Sequence, residues 1–467
     1  MKEISLPYGK QDIKWELPAG DISVFRCDHS KEIDDIGSTL RSSLNEPIDS
    51  APLRERVKPS DKIAIIVSDS ARLFPQDKIL GTVLEEIGHA DPADISIVIA
   101  SGNHEASDPA SIGIGRDIQS KFKVINHNSS DKKNMKSVGT LPSKESAFFR
   151  KQAMKHISRS VREAPRNFAR IVRLLFRGDI EGIKAVIGYT TLVRALLILS
   201  ASSKNEIKIN STVAQADLRI LIGQIKPHFL SGFSGGHKAV FPGCAEFTGI
   251  AKNHFMMNHP SVGLGKNDGN IIRGQIEESS RFCGDSFAVN VVMNSNKTVA
   301  GIFCGDPVTA QRQGSELCRS IGNIKTEKAD IVIAAEGYPE AINLYQHIKV
   351  IPPAGKIVRE GGAIICVGSC SRGLGGLSVV NEVTCKIGFW HILPKDVRLY
   401  LVSDLPKDVV DKTMFIYAPN IDQAVEAEKK IRGDDLKITV LAGAGLMVPD
   451  VSTPLSSPLT KGGKRGV

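Results

Sequence analysis

The sequence lacks the features that mark zinc-finger, disulfide-rich and membrane-spanning proteins. Its eight cysteines include no C-x-x-C pair, and the closest two, Cys366 and Cys370, are separated by three residues. We therefore expect reduced, mostly buried thiols in a cytoplasmic protein. The N-terminus has no apolar signal-peptide core, and the longest apolar run, Ala185 to Ser200, is short and interrupted by Arg194. Export and a membrane span are not predicted.

Aromatic residues are also scarce, at 5% of the chain, and the 42 glycines and 23 prolines show no periodicity. This composition excludes collagen-like, coiled-coil and low-complexity proteins. With 467 residues, 41% of them hydrophobic, the chain is long enough for two or three domains with substantial cores. A mixed α/β enzyme or binding protein is what remains.

The net charge of +9 is unevenly distributed. Residues 144–204 contain 13 Lys and Arg residues but only four Asp and Glu, whereas the rest of the chain has equal numbers of basic and acidic residues. Six of the arginines recur at steps of three or four, which places them on one face of a helix: Arg159, Arg162, Arg166, Arg170, Arg173 and Arg177. An apolar face lies opposite them, at Ile157, Val161, Phe168, Val172 and Leu175.

This segment, residues 144–204, is a basic helical insertion with two open interpretations. It could bind anionic lipid, nucleic acid or an acidic partner. Alternatively, it packs on the body of the protein and leaves its arginines in water. Pro165 is predicted to kink the helix or to begin a second one.

Strand and helix patterns alternate through the rest of the chain and predict two α/β domains with mostly parallel sheets. We assign residues 1–320 to an N-terminal domain that contains the insertion, 325–446 to a C-terminal domain, and 447–467 to a tail with a disordered end. The first domain is predicted to contain a helix at Asp77–Gly88, an antiparallel strand pair at Ala288–Met293 and Val299–Cys304, and further strands at Lys62–Ser68, Asp94–Ser101 and Ala216–Ile225.

Polar side chains follow the predicted strands, where open parallel sheets bind ligands. Asp69 and Arg72 follow the first strand and His104 the second, although turn capping is the more frequent explanation of such residues taken alone. The strongest pattern is PHFLSGFSGGHKAVFPG, residues 227–243, in which closely spaced glycines would let backbone N–H groups approach an anion. Lys238 ends this loop as a phosphate-binding cation or a nucleophile. In the second domain, Tyr345 and Lys349 are four residues apart on a predicted helix.

Together these motifs resemble the nickel-pincer-dependent lactate racemase family. The motifs are SDSAR, SGNH, PHFLSGFSGGHKAVFPG, KNHFMMNHP, DGNIIRGQIEES and EGYPEAINLYQHIK, and the resemblance covers nearly the whole chain outside the insertion. It implies a cofactor in the cleft between the domains, pyridinium-3,5-bisthiocarboxylic acid mononucleotide, which is tethered to a lysine and holds nickel. It also implies cofactor-biosynthesis enzymes as partners.

The resemblance also implies roles for individual residues. His104 and His228 would be the two catalytic bases, Lys238 the tether and His254 the nickel ligand. Further cofactor contacts would come from Ser234, Gly235, Gly236 and Asp69. The substrate pocket would be lined by Asp69, Arg72, Tyr345, Gln346 and Lys349.

The implied reaction is racemisation or epimerisation of a 2-hydroxy acid such as lactate. Two histidines can alternate as base and acid on the substrate hydroxyl, while a hydride passes to and from the cofactor. Soft sulfur donors and one imidazole suit nickel. The competing hypothesis is a non-catalytic anion- or nucleotide-binding protein that docks on membrane or nucleic acid through its basic insertion.

Overall fold

The computed structural model describes residues 3–70, 72, 74–176, 198–375 and 392–451. Within these ranges, no helix is both long enough and apolar enough to cross a bilayer. The seven cysteines that they contain are buried, and none forms a disulfide. The eighth, Cys385, lies outside the described residues.

The strands of the described ranges form two large sheets and three two-stranded ones. In chain order they are β1 (Glu3–Gly9), β2 (Gln11–Glu16), β3 (Ile22–Arg26), β4 (Ile63–Ser68), β5 (Ile95–Ala100), β6 (Lys123–Asn126), β7 (Met135–Leu141), β8 (Asn205–Asn210), β9 (Leu218–Ile225), β10 (Pro227–His228), β11 (Gly232–Phe233), β12 (Ser286–Met293), β13 (Val299–Gly305), β14 (Asn323–Thr326), β15 (Ala329–Gly337), β16 (Val358–Val367), β17 (Arg398–Val402), β18 (Ile416–Tyr417), β19 (Ile438–Ala442) and β20 (Val448–Val451).

The α-helices cover the faces of the two large sheets and connect their strands. In chain order they are α1 (Ile36–Asn45), α2 (Leu53–Arg56), α3 (Gln76–Glu86), α4 (Arg116–Lys121), α5 (Ser146–Phe176), α6 (Ser211–Gln215), α7 (Phe247–His254), α8 (Ile271–Cys283), α9 (Pro307–Gly322), α10 (Leu344–His347), α11 (Ile351–Ile357), α12 (Lys407–Val410) and α13 (Ile421–Arg432).

The first sheet has the order β13-β12-β9-β4-β5-β6. Its strands are parallel except for β13, which is antiparallel to β12. The apolar residues of β4 are all buried, as expected for a parallel strand covered on both faces. The predicted strands, the predicted helix α3 and the predicted antiparallel pair are thereby confirmed to within a few residues.

The second sheet contains β18-β17-β16-β15, with β19 beside β15, and it also includes β1, β2 and β3. β3 pairs in parallel with β19, and β1 with the end of β15. The predicted N-terminal domain of residues 1–320 is therefore wrong for its first strands, because residues 3–26 hydrogen-bond to the other sheet. The predicted tail also begins too early, since β20 pairs with β14; residues 452–467 lie outside the described residues.

The basic insertion begins with α5, which continues as a helix through Pro165. Phe149 and Ala153, near its start, are buried in a core cluster of the first unit. Further along, the predicted apolar face is exposed to solvent at Val161 (70%), Phe168 (70%) and Leu175 (61%). Packing on the body therefore accounts only for the first turns of α5. Arg177 and the following residues to 197 lie outside the described residues.

The two units share part of their core. One hydrophobic cluster joins Ile225, Phe233 and Val292 of the first unit to residues such as Ile364 and Leu441 of the second. This shared packing fixes the strand ends of the first sheet against the helices of the second unit. The largest cluster of polar loop residues that the sequence singled out lies at that junction.

Candidate active site

A cavity of about 200 Å³ lies where β4, β5 and β9 end. Because these strands are parallel, the loops that follow them meet at one edge of the sheet. Side chains of α10 and the turn after it contribute to the wall from the second unit. Every predicted site residue except Gln346 lines this cavity: Asp69, Arg72, His104, His228, Ser234, Gly235, Gly236, Lys238, His254, Tyr345 and Lys349.

Asp69 and His104 form a hydrogen-bonded pair in the wall, with 2.5 Å between His104 Nδ1 and Asp69 Oδ2. Asp69 is only 7% exposed. Burial raises its pKa, but the hydrogen bond and charge of His104, with the charge of Arg72, outweigh burial and leave the pKa lowered. The ionised carboxylate accepts a hydrogen bond from Nδ1 of His104, so in the neutral form of the ring the proton is held on Nδ1 and Nε2 is the acceptor.

His228 is held in the opposite way. Its Nδ1 accepts hydrogen bonds from the backbone N–H groups of Leu230 (3.2 Å) and Ser231 (3.3 Å). Burial, followed by the positive charges of Lys238 and Arg72, lowers its pKa well below the usual range. The ring is therefore neutral, and with Nδ1 accepting, Nε2 carries the proton.

Residues 230–238, which we call the Gly loop, connect His228 to Lys238. Gly232 and Gly236 have φ values of 76° and 59°. A Cβ atom at Gly232 would lie 2.1 Å from the carbonyl oxygen of Lys266, and one at Gly236 would lie 2.5 Å from that of Pro307. The two positions thus require glycine for close backbone packing, whatever the loop binds.

Ser234, predicted to contact the cofactor, uses its hydroxyl within the protein. Its Oγ donates to the carbonyl of Gln224 at 2.6 Å and accepts the N–H of Lys226 at 2.9 Å. The side chain therefore fixes the loop against the end of β9.

Lys238 lies in the 3₁₀ turn Gly236–Ala239 at the end of the Gly loop. Burial, together with the positive charges of Arg72 and Arg273, lowers the pKa of its ammonium to about 7. A substantial fraction of this amine is then neutral near pH 7 and available as a nucleophile.

His254 ends α7 and lines the same cavity. Its Nδ1 is buried without a well-formed hydrogen bond to any described residue, although the backbone of Ile250 interacts with the ring and acts to raise its pKa. Burial, then the charge of Lys238, lowers its pKa to about 4, so the imidazole is neutral and able to ligate a metal. The described residues contain no group of three His, Cys, Asp or Glu side chains that could hold a metal. A metal bound by His254 would therefore take its other donors from a bound molecule, and these residues fit a cofactor that supplies them.

The second unit contributes Tyr345 and Lys349. The Tyr345 ring meets the His104 ring edge-on, with 6.3 Å between their centres. Lys349 donates a hydrogen bond to the side-chain carbonyl of Gln346. Gln346, predicted to touch substrate, lies behind Lys349 and does not line the cavity.

Positive charge dominates the cavity. Arg72, Lys238 and Lys349 line it, and Asp69 is the one acidic residue among the described lining residues. Burial and the neighbouring charge of Arg72 lower the pKa of Lys349 well below its usual range. A bound carboxylate or phosphate would offset this repulsion, so the cavity suits an anionic ligand.

Two buried polar groups of the wall were not predicted. Asn290, in β12, is 1% exposed; its Oδ1 accepts the N–H of Gly236 at 3.1 Å, while Nδ2 has no partner among the described residues. Its signal in the sequence is a lone amide in the otherwise apolar run FAVNVVM, residues 287–293. The hydroxyl of Ser101, at 2% exposure, is likewise buried without a partner in the described ranges.

Comparison with solved structures supports the α/β fold. The chain is similar to the lactate racemase apoprotein of Thermoanaerobacterium thermosaccharolyticum, with a TM-score of 0.74, 24% identity and coverage of 96% of this chain and 100% of that one. A crystal structure of a protein from Thermotoga maritima has a TM-score of 0.61 at 15% identity, covering 90% and 100%.

Sequence comparisons identify the family. Residues 8–159 and 194–265 match the model of the lactate racemase N-terminal domain, and 324–389 that of the C-terminal domain. The lactate racemases of T. thermosaccharolyticum and Lactiplantibacillus plantarum are each 26% identical; the alignments cover 94% and 96% of this chain, and 97% and 100% of the relatives. The gap in the first match falls within the basic insertion. The chain belongs to the lactate racemase family.

Proposed function

We propose that the protein is an isomerase that racemises or epimerises a 2-hydroxy acid, with lactate as the first candidate. The observation that carries this proposal is the placement of His104 and His228 on one cavity, with Nδ1 of His104 donating to Asp69 and Nδ1 of His228 accepting backbone N–H groups. Inversion of a hydroxyl-bearing carbon needs a proton acceptor on either side of the substrate. Membership of the lactate racemase family supports the same reaction.

The cationic side chains would bind and orient the substrate carboxylate. Arg72 can hold it through two parallel N–H bonds, and Lys349 adds a second positive charge. Gln346 acts through its hydrogen bond to Lys349 and sets the position of that ammonium.

The two histidines would move the hydroxyl proton. His104 is ready to accept it at Nε2, because Asp69 retains the other ring proton on Nδ1. His228 presents an N–H at Nε2 and can donate a hydrogen bond to the substrate oxygen; to transfer that proton as an acid, the ring must first take a second proton on Nδ1, so that a neutral imidazole is left behind. To act as a base there, His228 must release the N–H groups of Leu230 and Ser231 and take its proton on Nδ1. Alternation between the two bases therefore includes a tautomer change at His228.

We propose that the cofactor is the nickel pincer nucleotide, with Lys238 as its tether and His254 as the protein ligand of nickel. When bound, this group supplies the hydride acceptor that no amino-acid side chain provides. The neutral amine of Lys238 can form the covalent link, and the unpartnered Nδ2 of Asn290 is placed to donate a hydrogen bond to the group. The described lining residues include no cysteine, so the sulfur donors must arrive with the cofactor. Cofactor-biosynthesis enzymes are therefore required partners.

The proposal is tested on protein produced together with those biosynthetic enzymes. Intact mass, nickel content and chiral analysis of lactate and other 2-hydroxy acids are measured on one sample. We expect an adduct on Lys238, one nickel per chain and racemisation of at least one acid. Active protein with an unmodified Lys238 would contradict the cofactor assignment, and loaded protein inactive on the whole panel would contradict the reaction.

The histidines are tested separately by His104→Gln and His228→Gln. Each is expected to retain the adduct and to lose racemisation by at least about a hundredfold. Full activity in either variant would refute the two-base mechanism, whereas loaded protein that racemises no acid of the panel would favour the competing non-catalytic, anion-binding hypothesis for this cavity.

A second role, docking on an anionic membrane, is favoured by the exposed side chains of α5. Val161, Phe168 and Leu175 form an apolar stripe at seven-residue spacing, and the described side chains of Arg162 and Arg166 are exposed. Basic amphipathic helices with Phe and Leu on the apolar face bind anionic bilayers. We propose this surface as the contact with such a membrane from the cytoplasm, where the enzyme is predicted to reside.

Vesicle co-sedimentation tests this role. We expect binding to phosphatidylserine-containing vesicles that weakens with salt and is lost in Phe168→Ser or in the double variant Arg162→Gln/Arg166→Gln. Equal binding to neutral vesicles, or preference for DNA over vesicles, would overturn membrane docking.

A further inference from the structure

Side chains that do not line the cavity donate hydrogen bonds to the carbonyl groups of the Gly loop. Asn270 donates to the carbonyl of Leu230 at 2.8 Å, and Gln311 to that of Ser234 at 3.1 Å. The guanidinium of Arg273 donates to three more carbonyls, those of Ser231 (3.1 Å), Gly235 (3.5 Å) and Phe233. Five of the six carbonyls from residue 230 to residue 235 are thereby held by side chains of neighbouring elements.

Arg273 is the centre of this arrangement. It belongs to α8, is 1% exposed and is absent from the cavity wall. Its nearest described carboxylate is that of Glu277, 3.9 Å from Nε, which is itself closer to Arg312, at 2.9 Å. A buried guanidinium is costly unless its donors are satisfied, and here backbone carbonyls satisfy them.

The same peptides contact functional side chains on their other side. The N–H groups of Leu230 and Ser231 donate to Nδ1 of His228, while the carbonyl of Ser231 accepts from Arg273. At the other end of the loop, the N–H of Gly236 is held by Asn290, two residues before Lys238. A shift of the loop would therefore move His228 and Lys238 together.

We propose that Arg273 is a positioning residue, which acts through the Gly loop to fix His228 at its start and Lys238 at its end. The roles of those two residues rest on the proposed function, whereas the effect of Arg273 on them does not. Arg273 also acts on Lys238 as a buried positive charge. The charged groups around Lys238 are Arg72, Arg273 and Lys226, which favour its neutral form, and Asp69, which opposes them; the rings of His228 and His254 are neutral.

The test uses the full chain without cofactor, so it requires neither nickel nor turnover. Acylation of Lys238 by acetic anhydride is followed against pH by peptide mass spectrometry, and loop order by hydrogen exchange of residues 230–236. Arg273→Met removes both the charge and the hydrogen bonds, and Arg273→Lys removes most of the bonds but keeps the charge. Arg219→Met is the matched control, because Arg219 is also buried (3%) and donates to backbone carbonyls, of Val213 and Ala214, at the opposite end of β9.

We expect an acylation midpoint near pH 7 in the unaltered protein and in Arg219→Met. In Arg273→Met the midpoint should rise by about half a pH unit, lowering the rate at pH 7 about twofold, with faster exchange in the loop. Arg273→Lys should keep the acylation midpoint and show only the faster hydrogen exchange. This variant still tests the positioning role if Arg273→Met does not fold.

If hydrogen exchange in the Gly loop were unchanged in Arg273→Lys, the positioning role would be overturned. It would also be overturned if exchange in the loop increased equally in Arg219→Met. A midpoint that moves equally in Arg273→Lys and Arg273→Met would overturn the role of the charge. Failure of the proposed function is distinguishable from these results: it would appear as a missing adduct on Lys238 in protein made with the biosynthetic enzymes, with the effects of Arg273 intact.

Discussion

At the scale of single residues, the protein environment decides which nitrogen of each histidine can take a proton. A buried carboxylate acts on His104 and two backbone N–H groups act on His228, so two identical side chains begin the reaction in different states. The roles of acid and base are therefore set by the loops that follow β4 and β9, which carry Asp69 and the two backbone N–H groups. Asp69 is the side chain on which the acceptor state of His104 depends.

Replacing Asp69 by Asn should leave the protein folded and greatly reduce racemisation. An amide oxygen still accepts a hydrogen bond from Nδ1, but the negative charge that stabilises the protonated imidazole is lost. We expect kcat to fall by about a hundredfold or more, with a small change in KM, measured on protein that carries the adduct. Glu105→Gln is the control, because it removes an exposed negative charge beside His104 and should leave kcat unchanged. Equal rates in Asp69→Asn and the unaltered protein would show that Asp69 does not support His104.

Which residues could be predicted at this scale depended on local sequence. His104, His228 and Lys238 belong to short motifs that follow strands, and the structure brings them to one cavity. The family resemblance assigns Gln346 to the substrate pocket, but its side chain turns to Lys349. Arg273 could not be assigned, because its partners are backbone carbonyls about forty residues away in the chain, which carry no sequence signal.

At the scale of secondary-structure elements, the start of α8 has two functions. Asn270 caps the helix by accepting the N–H groups of Ile272 (2.9 Å) and Arg273 (3.2 Å), and its amide donates to the carbonyls of Leu230 and Lys266. The helix that carries Arg273 is thus anchored to the loop that Arg273 holds.

Asn270→Ala should therefore affect both stability and the site. Loss of the cap is expected to lower the free energy of unfolding by about 1 kcal/mol, and the freed carbonyl of Leu230 should increase hydrogen exchange in the Gly loop. Asn420→Ala is the matched control, since Asn420 caps α13 in the second unit through the N–H of Gln423. Both variants lose a helix cap, and Asn270→Ala should lose at least as much stability as Asn420→Ala in urea titrations, because Asn270 also donates to two carbonyls. Loop exchange that rises equally in both would contradict a specific role for Asn270.

Elements with strong local patterns were predictable, and those defined by distant pairing were not. The buried runs of β4, β5 and β9 are apolar and bounded by polar loops, so their positions follow from sequence. The pairing of β3 with β19 joins residues more than 400 positions apart, and nothing in either segment specifies it. In α5 the spacing correctly indicated a helix, but not that its apolar face beyond residue 157 is exposed.

At the scale of the whole molecule, buried neutral histidines make the fold sensitive to acid. His347 is fully buried, and neither ring nitrogen has a hydrogen-bond partner in the described part of the chain. Burial lowers its pKa to about 4, below the value of about 6.5 in an unfolded chain. Below pH 6.5 the unfolded state binds a proton that the folded state does not, so stability falls with pH until about pH 4.

We expect His347→Leu to reduce this loss of stability. Between pH 7 and pH 5 the fall in the free energy of unfolding should be smaller by about 2 kcal/mol than in the unaltered protein, measured by urea titration at both pH values. His29→Leu, at an exposed histidine, should leave the fall unchanged. If His347→Leu behaved like His29→Leu, protonation of His347 would not be part of the acid response.

The two units are joined by a buried ion pair as well as by apolar packing. Lys226, directly after β9, contacts Glu340, which follows β15, and their side chains are only 6% and 15% exposed.

Removal of one charge leaves the other buried without its partner, so Glu340→Gln should lower the free energy of unfolding by about 3–5 kcal/mol. The double variant Lys226→Met/Glu340→Leu should recover most of that loss, because neither charge of the pair then remains to be buried and Glu336, which interacts with both, can take up a proton. The exposed pair Lys14 and Glu3, 2.9 Å apart, provides the control, and Glu3→Gln should have no measurable effect. Urea titration of the three variants decides between the alternatives: a double variant less stable than Glu340→Gln would mean that the side chains join the units by their packing and not by their charges.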